Sequence, residues 1–254
     1  MQFMDTHIHL QDFKQRCATD IIAAGLKSGV NKFICVSAVE NDWEKVAALH
    51  EMFPETIIPA FGLHPWYADK AGGGWQLRLA GYLERYPSAL VGEAGLDRLH
   101  GADENCQKKV FDEQIYLSKE YGRSLLIHAV KAQPWLESYW KRLPQKFVFH
   151  SYAGKAEMVK QILAYGGCVS FSVSALKSSG LEKAVKALPV ERLLLETDAP
   201  YQPLCAGEEN SPENIPLLAA RLAALYNMPK ETFAARVYNN SLEFVKTWKT
   251  TSVF

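Results

Sequence analysis

The chain has 254 residues, a hydrophobic fraction of 48% and a charged fraction of 22%, the composition of an ordinary globular protein with a sizeable core. Lysine and arginine together number 28, as do aspartate and glutamate, so the formal net charge is zero. This balance argues against a protein that coats duplex DNA, since such proteins are basic overall, although an enzyme could still contact a few phosphates in one cleft.

The compartment is predicted from features that the sequence lacks. No apolar run is long enough to span a bilayer, and no basic segment precedes an apolar one at the start, so we expect neither a membrane partner nor secretion. The five cysteines are scattered, odd in number and without C-x-x-C spacing, which favours reduced thiols and a cytoplasmic protein. No linker divides the chain, so we expect residues 1–254 to form one domain, and we expect a monomer.

Short apolar runs alternate with helical patterns along the chain, which is typical of a parallel sheet covered by helices. The first run, Met1–Met4, leads directly into Asp5. The other predicted strands are Lys32–Val39, Ile57–Leu63, Ala89–Gly92, Ser124–Ile127, Phe147–Phe149, Cys168–Val173 and Arg192–Leu195. The predicted helices are Asp20–Ser28, Trp43–Met52, Gln76–Tyr86, Asn105–Tyr121, Pro134–Arg142, Lys155–Tyr165, Leu181–Leu188, Pro212–Tyr226 and Lys230–Trp248.

Eight strand–helix units in about 250 residues predict an α/β fold, a TIM (β/α)8 barrel with a C-terminal extra helix. The alternative is a doubly wound open sheet, which needs no eighth unit and usually carries a glycine-rich phosphate loop after its first strand. Here histidines follow the first strand and no G-x-G-x-x-G motif occurs, so the barrel is favoured.

The stretch Asp5–His9 (DTHIH) is the first candidate site. Residues two apart in an extended strand share a face, so His7 and His9 would project into the same space. Two imidazoles placed in this way can supply two nitrogen ligands to one metal ion. For this stretch taken alone, a pair of ordinary buried histidines at a strand end is the alternative interpretation.

Histidines and acids recur at the ends of the predicted strands. The residues are His7 and His9 after the first strand, His64 after the third, Glu93 after the fourth, His128 after the fifth, His150 after the sixth and Asp198 after the eighth. The carboxyl ends of the strands form the face where barrel active sites are built. Polar groups that end buried strands are costly to desolvate unless they are paired, so the set predicts a metal site.

The predicted metal ligands are His7, His9, Glu93, His128, His150 and Asp198. They are too many for one tetrahedral ion with an open position, and they suit two divalent ions (Mg²⁺, Mn²⁺ or Zn²⁺) about 4 Å apart. The ligands from strands one and eight would hold one ion, and the histidines from strands five and six the other. Glu93 would bridge the ions, because strand four lies between the two groups.

A metal-activated hydroxide between the ions would be the nucleophile. Asp198 could also orient that water and take its proton, so Asp198 and Glu93 are the predicted catalytic residues. For Asp198 the alternative is a cap before Pro200.

Six motifs together resemble one known family. They are Asp5–His9, Gly62–Pro65, Gly92–Asp97, Ile127–His128, His150–Gly154 and Glu196–Pro200. In this combination and order the chain is similar to the TatD family of amidohydrolase-like, metal-dependent hydrolases, from residue 5 to about residue 240. The resemblance implies a TIM barrel with a two-metal site, the same ligands, and hydrolysis of phosphodiester bonds at DNA ends by a deoxyribonuclease of 3′ to 5′ exonuclease character.

The chain departs from the family pattern around the expected substrate. Many members carry an arginine two residues after the strand-five histidine, where this chain has Val130. Members usually have phenylalanine at the position of Tyr152, and an aromatic residue commonly stands at the position of Arg98. These changes leave the implied ligands intact and leave the substrate open.

Four side chains are candidate substrate contacts. Arg98, Lys131 and Lys155 follow strands four, five and six and could meet a phosphate, although solvated loop charges are the alternative for each. His64 could contact a phosphate oxygen or the outer shell of a metal ion, and a structural role in its turn before Pro65 is the alternative.

Two other classes of function stay open. The same activated water could attack a carboxylic ester, lactone or amide of a small molecule, and the missing arginine at Val130 keeps this alternative open. A non-enzymatic metal-binding protein is the third class, and the completeness of the ligand set argues against it.

Overall fold

A computed structural model describes residues 1–248 and contains one sheet of eight parallel strands whose order follows the chain. The strands are β1 Phe3–Ile8, β2 Val30–Val36, β3 Ile57–Phe61, β4 Leu90–Asp97, β5 Leu125–Val130, β6 Phe147–Phe149, β7 Cys168–Phe171 and β8 Leu193–Leu195. The helices are α1 Ala18–Lys27, α2 Glu40–Met52, α3 Trp75–Arg85, α4 Glu104–Glu120, α5 Gln133–Leu136, α6 Ala156–Ala164, α7 Leu181–Ala187, α8 Ile215–Leu225 and α9 Lys230–Val245. The predicted TIM barrel with an extra C-terminal helix is confirmed.

Backbone contacts between β1 and the chain just after β8 close the barrel. Ile8 pairs with Ala199 in a parallel bridge. The amide of Asp198 donates a hydrogen bond to the carbonyl of His7 at 2.9 Å. Because the closing residues include two candidate ligands, the closure itself places these ligands side by side.

Asp5 supports the same closure from inside the protein. Its carboxylate is fully buried and accepts hydrogen bonds from the backbone amide and the hydroxyl of Thr197, two residues after β8. Burial raises the pKa of the Asp5 carboxyl to about 7, in opposition to the Thr197 hydrogen bonds. The first acid of the DTHIH stretch therefore joins strands and lies outside the ligand groups.

The interior of the barrel is filled by an apolar cluster from seven strands and α9. Its members are Met4, Ile34, Val36, Ala60, Leu90, Leu126, Val148, Leu194 and Phe244. The backbone carbonyl of Phe244 also accepts a hydrogen bond from the hydroxyl of Ser124, just before β5. The extra helix thus covers the amino-terminal end of the barrel and leaves the carboxyl ends of the strands to polar residues.

Two strands are longer than the apolar pattern predicts. The strands predicted over Ala89–Gly92 and Ser124–Ile127 end too early, because β4 continues to Asp97 and β5 continues to Val130. Gly95 has a φ of 146°, and a Cβ there would lie 2.0 Å from the carbonyl oxygen of His128. Only glycine permits this close approach, so the sheet continues past the point where the hydrophobic run stops.

Two predicted helices are also corrected. The helix predicted over Pro134–Arg142 is divided into α5 and a 3₁₀ helix, Trp140–Arg142. Tyr139 packs against Phe111 and Trp140 against Phe149, so neighbouring aromatic rings contact different elements of the core. The last helix ends at Val245, before the predicted end at Trp248. Across residues 1–248, the helices fall short of the length and apolarity needed to cross a membrane.

Replacing Phe244 with alanine is expected to lower the free energy of unfolding by about 3 kcal/mol, because it empties part of the barrel interior. Urea unfolding followed by circular dichroism measures this change. Leu77→Ala is the control, since Leu77 is 80% exposed on α3 and should change stability by less than about 0.5 kcal/mol. An equal, small effect of both substitutions would contradict the role of α9 as the cover of the barrel.

Candidate metal centre

The barrel brings all the sequence-predicted ligands to the carboxyl ends of its strands. His7 lies in β1, Glu93 in β4 and His128 in β5, while His9, His150 and Asp198 lie just after β1, β6 and β8. All of them are buried or nearly so. Side chains that are far apart in the sequence therefore form one polar cluster above the apolar interior.

Glu93 lies at the centre and divides the histidines into two groups. Its Oε1 is 2.8 Å from Nε2 of His150 and 2.9 Å from Nδ1 of His128. Its Oε2 is 3.3 Å from Nε2 of His7 and 3.7 Å from Nε2 of His9. One carboxylate thus presents one oxygen to each group, which is the arrangement of a carboxylate that can bridge two cations.

Asp198 completes the group on the β1 side. Its Oδ1 is 3.4 Å from Nε2 of His9 and 3.7 Å from Nε2 of His7, and these two nitrogens are 3.3 Å apart. The three donor atoms could therefore hold one metal ion.

The charges of this cluster are strongly coupled. Burial raises the pKa of the Glu93 carboxyl, but the surrounding imidazole charges, that of His150 first, outweigh it and hold the pKa well below its usual range. Burial lowers the pKa of His9, but the hydrogen bond to Asp198 and the charges of Asp198, Glu93 and Asp12 together outweigh burial and raise the pKa to about 9. Burial lowers the pKa of His7, which keeps this ring neutral. The carboxylates are anionic, and a metal ion would displace protons from the histidines when it binds.

The donor set fits divalent metal ions. Within residues 1–248, the Nδ1 atoms of His7 and His9 are buried without a hydrogen-bond partner, while their Nε2 atoms converge with two carboxylates. Imidazole nitrogen with carboxylate oxygen is a donor combination that suits Zn²⁺ and Mn²⁺ and tolerates Mg²⁺.

His64 belongs to the same cluster but offers a different atom. Its Nδ1 accepts the backbone N–H of Trp66 at 3.1 Å, and burial lowers its pKa, so the ring is neutral. A neutral imidazole then carries its proton on Nε2, which faces Oε1 of Glu93 at 3.2 Å. Although His64, Glu93 and His128 lie close enough together to enclose an ion, His64 is held as a hydrogen-bond donor.

Two acids that the sequence analysis did not single out lie beside the histidines. Asp97 accepts from Nε2 of His128 at 3.2 Å, so Nδ1, which lies 2.9 Å from Oε1 of Glu93, is the nitrogen left for a metal ion. Glu196 lies 3.4 Å from Nδ1 of His150, and it forms with His7 and His150 a further group of donor atoms that could hold an ion. A hydrogen-bond partner such as Asp97 fixes the ring orientation and tautomer of a metal-binding histidine. Asp97 lies four residues after Glu93, and Glu196 lies two residues before Asp198, each within a motif quoted above. Even spacings in an extended strand place side chains on one face, and this signal could have identified both acids.

Gln202 holds Asp198 from the side opposite the histidines. Its amide nitrogen donates to Oδ2 of Asp198, and its amide oxygen accepts from the hydroxyls of Ser151, Ser172 and Ser174. With Oδ2 occupied, Oδ1 is the oxygen that faces the histidine pair. No spacing in the sequence pointed to this network.

The backbone around the histidine and carboxylate cluster is strained. Four of the five non-glycine residues with positive φ in the described chain border it: Lys131, Ser151, Asp198 and Gln202, with φ between 43° and 59°. Such conformations persist where surrounding contacts fix them, and they concentrate at functional sites.

The predicted basic contacts follow the carboxyl ends of β4, β5 and β6. Arg98, Lys131 and Lys155 are all exposed, and the guanidinium of Arg98 lies 5.5 Å from the centre of the Trp135 ring. Among residues 1–248, no hydrogen bond joins any of the three side chains to a predicted metal ligand.

A parallel barrel that gathers histidines and carboxylates at the carboxyl ends of its strands is the architecture of a metal-dependent hydrolase. The family described as TatD related DNase matches residues 4–246. The chain belongs to the TatD family of metal-dependent hydrolases.

Similar proteins agree with this assignment. The chain is 31% identical over 252 residues to the Escherichia coli uncharacterized metal-dependent hydrolase YjjV, and the alignment covers 94% of this chain and 96% of that protein. The crystal structure of YjjV superposes with a TM-score of 0.86 at 30% identity, covering 95% of this chain and 97% of the other. Deoxyribonuclease Tat-D of Schizosaccharomyces pombe is 27% identical, with coverage of 89% and 86%.

Proposed function

We propose that the protein is a two-metal phosphodiesterase that removes nucleotides from the 3′ ends of DNA. The observation that carries the proposal is the position of Glu93, whose two oxygens face two separate groups of histidines. The substrate class is supported by relatives named deoxyribonuclease and by exposed basic side chains that follow the carboxyl ends of β4, β5 and β6.

In this proposal the two groups hold two divalent ions, Mg²⁺, Mn²⁺ or Zn²⁺. His7, His9 and Asp198 would hold one ion together with Glu93, and His128 and His150 would hold the other together with Glu93. Bound ions would acidify a water molecule and polarise a phosphoryl oxygen.

The protein's own groups position the substrate and move the proton. Asp198, anionic and at the edge of the cluster, accepts a proton from the attacking water. His64 donates its Nε2–H to a phosphoryl oxygen, and Arg98, Lys131 and Lys155 contact the backbone phosphates. These roles match the chemistry available at each atom: an anionic acceptor, a neutral donor and exposed cations.

The test of the proposed function is the release of mononucleotides from a single-stranded oligonucleotide labelled near its 3′ end. Metal-stripped protein is supplied with Mg²⁺, Mn²⁺ or Zn²⁺, and we expect metal-dependent release with 3′ to 5′ polarity. Aryl esters and lactones form a parallel panel. Their hydrolysis by metal-loaded protein that leaves every oligonucleotide intact would refute the phosphodiesterase proposal.

Replacing His64 with alanine is expected to lower kcat/KM about 100-fold, because one donor to the developing phosphoryl charge is lost. The bound metal, measured by mass spectrometry after dialysis, should stay unchanged, since His64 presents a proton and no lone pair. His64→Gln should recover part of the activity, because its amide can also donate. Loss of a metal ion from either variant would instead make His64 a ligand.

A further inference from the structure

Two exposed aromatic rings border the candidate metal centre. Trp66 is 43% exposed and follows the His64–Pro65 turn, and Tyr201 is 51% exposed and lies three residues after Asp198. By contrast, Trp43, Trp75 and Trp140 are buried in the core. Large aromatic surfaces left in water beside a polar cluster are candidate binding surfaces for an apolar, planar group.

The two rings stand on different sides of the histidine cluster. The Trp66 ring meets that of His64 edge to face at 5.1 Å and lies 6.4 Å from that of His128. The Tyr201 ring meets that of His9 edge to face at 5.4 Å. Trp66 thus adjoins the histidines on the Oε1 side of Glu93, and Tyr201 adjoins those on its Oε2 side.

Each of the two rings is held in place by a hydrogen bond at its polar edge. The indole N–H of Trp66 donates to Oδ2 of Asp97 at 2.7 Å, and the hydroxyl of Tyr201 donates to Oδ2 of Asp12 at 3.0 Å. A ring fixed at its polar edge keeps its orientation while much of its surface stays in water. Such a ring can stack on a planar partner at little further cost in conformational entropy.

We propose that Trp66 and Tyr201 are two stacking platforms for the bases on either side of the scissile phosphodiester, an inference that rests on the proposed function. A phosphodiester at the metal centre would lie between the two rings, and its two nucleotides extend in opposite directions. Bases in a duplex are already stacked on their neighbours, so both platforms can be filled only by an unpaired strand. The substrate is therefore a single-stranded or frayed nucleic-acid end.

The experiment combines alanine variants with oligonucleotides that lack one base. One oligonucleotide has an abasic residue at its 3′ end, and a second has it at the next position. Trp66→Ala and Tyr201→Ala should each raise KM about tenfold on the intact strand, the typical effect of losing one stacked base. On one of the two abasic strands, each substitution should change KM by less than about twofold. On the other abasic strand, the tenfold rise in KM should remain.

Conservative variants separate stacking from the polar contacts. Tyr201→Phe keeps the ring and loses the bond to Asp12, and Trp66→Phe keeps an aromatic face and loses the bond to Asp97. Both should retain a KM within about threefold of the parent protein. If Trp66→Phe is as impaired as Trp66→Ala, the bond to Asp97 accounts for the effect and the platform assignment of Trp66 is wrong.

A binding measurement separates this proposal from the proposed reaction. Metal-loaded protein is titrated into a fluorescent oligonucleotide with hydrolysis-resistant phosphorothioate linkages, intact or abasic, and anisotropy is recorded. If each alanine substitution weakens binding of the intact strand but not of one abasic strand, and ordinary DNA is not hydrolysed, the proposed reaction is refuted and the platforms are supported. Hydrolysis with equal effects on intact and abasic strands would refute the platforms, and neither binding nor hydrolysis would refute both.

Discussion

Glu93→Gln is expected to lower kcat at least about 1,000-fold and to reduce the bound metal from two ions to one or fewer. Glutamine keeps the shape of the side chain but has only one oxygen, so it cannot present an anionic oxygen to both histidine groups. The amide also removes the negative charge that five neighbouring imidazoles surround. Metal content by mass spectrometry and release of nucleotides from a labelled strand measure the two effects.

The control for this variant is Glu55→Gln, an exposed glutamate outside the cluster, which should retain both ions and full activity. Retention of two ions by Glu93→Gln, with activity within tenfold of the parent, would show that the carboxylate does not bridge. Retention of one ion with full activity would show that a single ion is enough for the reaction.

The path of the chain could be predicted because the barrel repeats one physical rule. Buried parallel strands are apolar, so the runs before Glu93, His128 and His150 mark the strands without any knowledge of tertiary contacts. The carboxyl end of β4 was not predicted because it depends on contact with β5. From the sequence alone Gly95 resembles a loop residue, and only the neighbouring His128 carbonyl shows why glycine is needed there.

The candidate ligands could be predicted for the same reason, since polar side chains at strand ends must share one face of a barrel. The particular atoms that these ligands present could not be predicted from the sequence. Whether His64 offers a proton or a lone pair depends on the Trp66 amide, and whether Asp198 offers Oδ1 or Oδ2 depends on Gln202. These contacts are set by side-chain conformations after folding, and no periodicity in the sequence encodes them.

Asp198→Asn is expected to lower kcat about 1,000-fold with a KM within about threefold of the parent. Asparagine keeps the size of the side chain, but its oxygen is neutral and cannot take a proton from water. Burial raises the pKa of the Asp198 carboxyl, but the hydrogen bond with His9 and the charges of the neighbouring histidines together outweigh burial, so the pKa lies below the usual value and the group is anionic at neutral pH. Steady-state kinetics on a single-stranded oligonucleotide, beside the exposed control Asp69→Asn, measure the effect.

Gln202→Met gives the intermediate case, because it leaves the carboxylate in place and removes only the hydrogen bond that orients it. A hydrogen bond to a charged group contributes about 1.5–3 kcal/mol, so kcat should fall roughly 10- to 100-fold, less than in Asp198→Asn. Ser174→Ala removes one of the three hydroxyls that donate to the Gln202 oxygen, and it should lower kcat by less than about tenfold. This graded order, at constant KM, is what orientation of Asp198 requires. Full activity in Gln202→Met would show that the histidines alone orient the carboxylate.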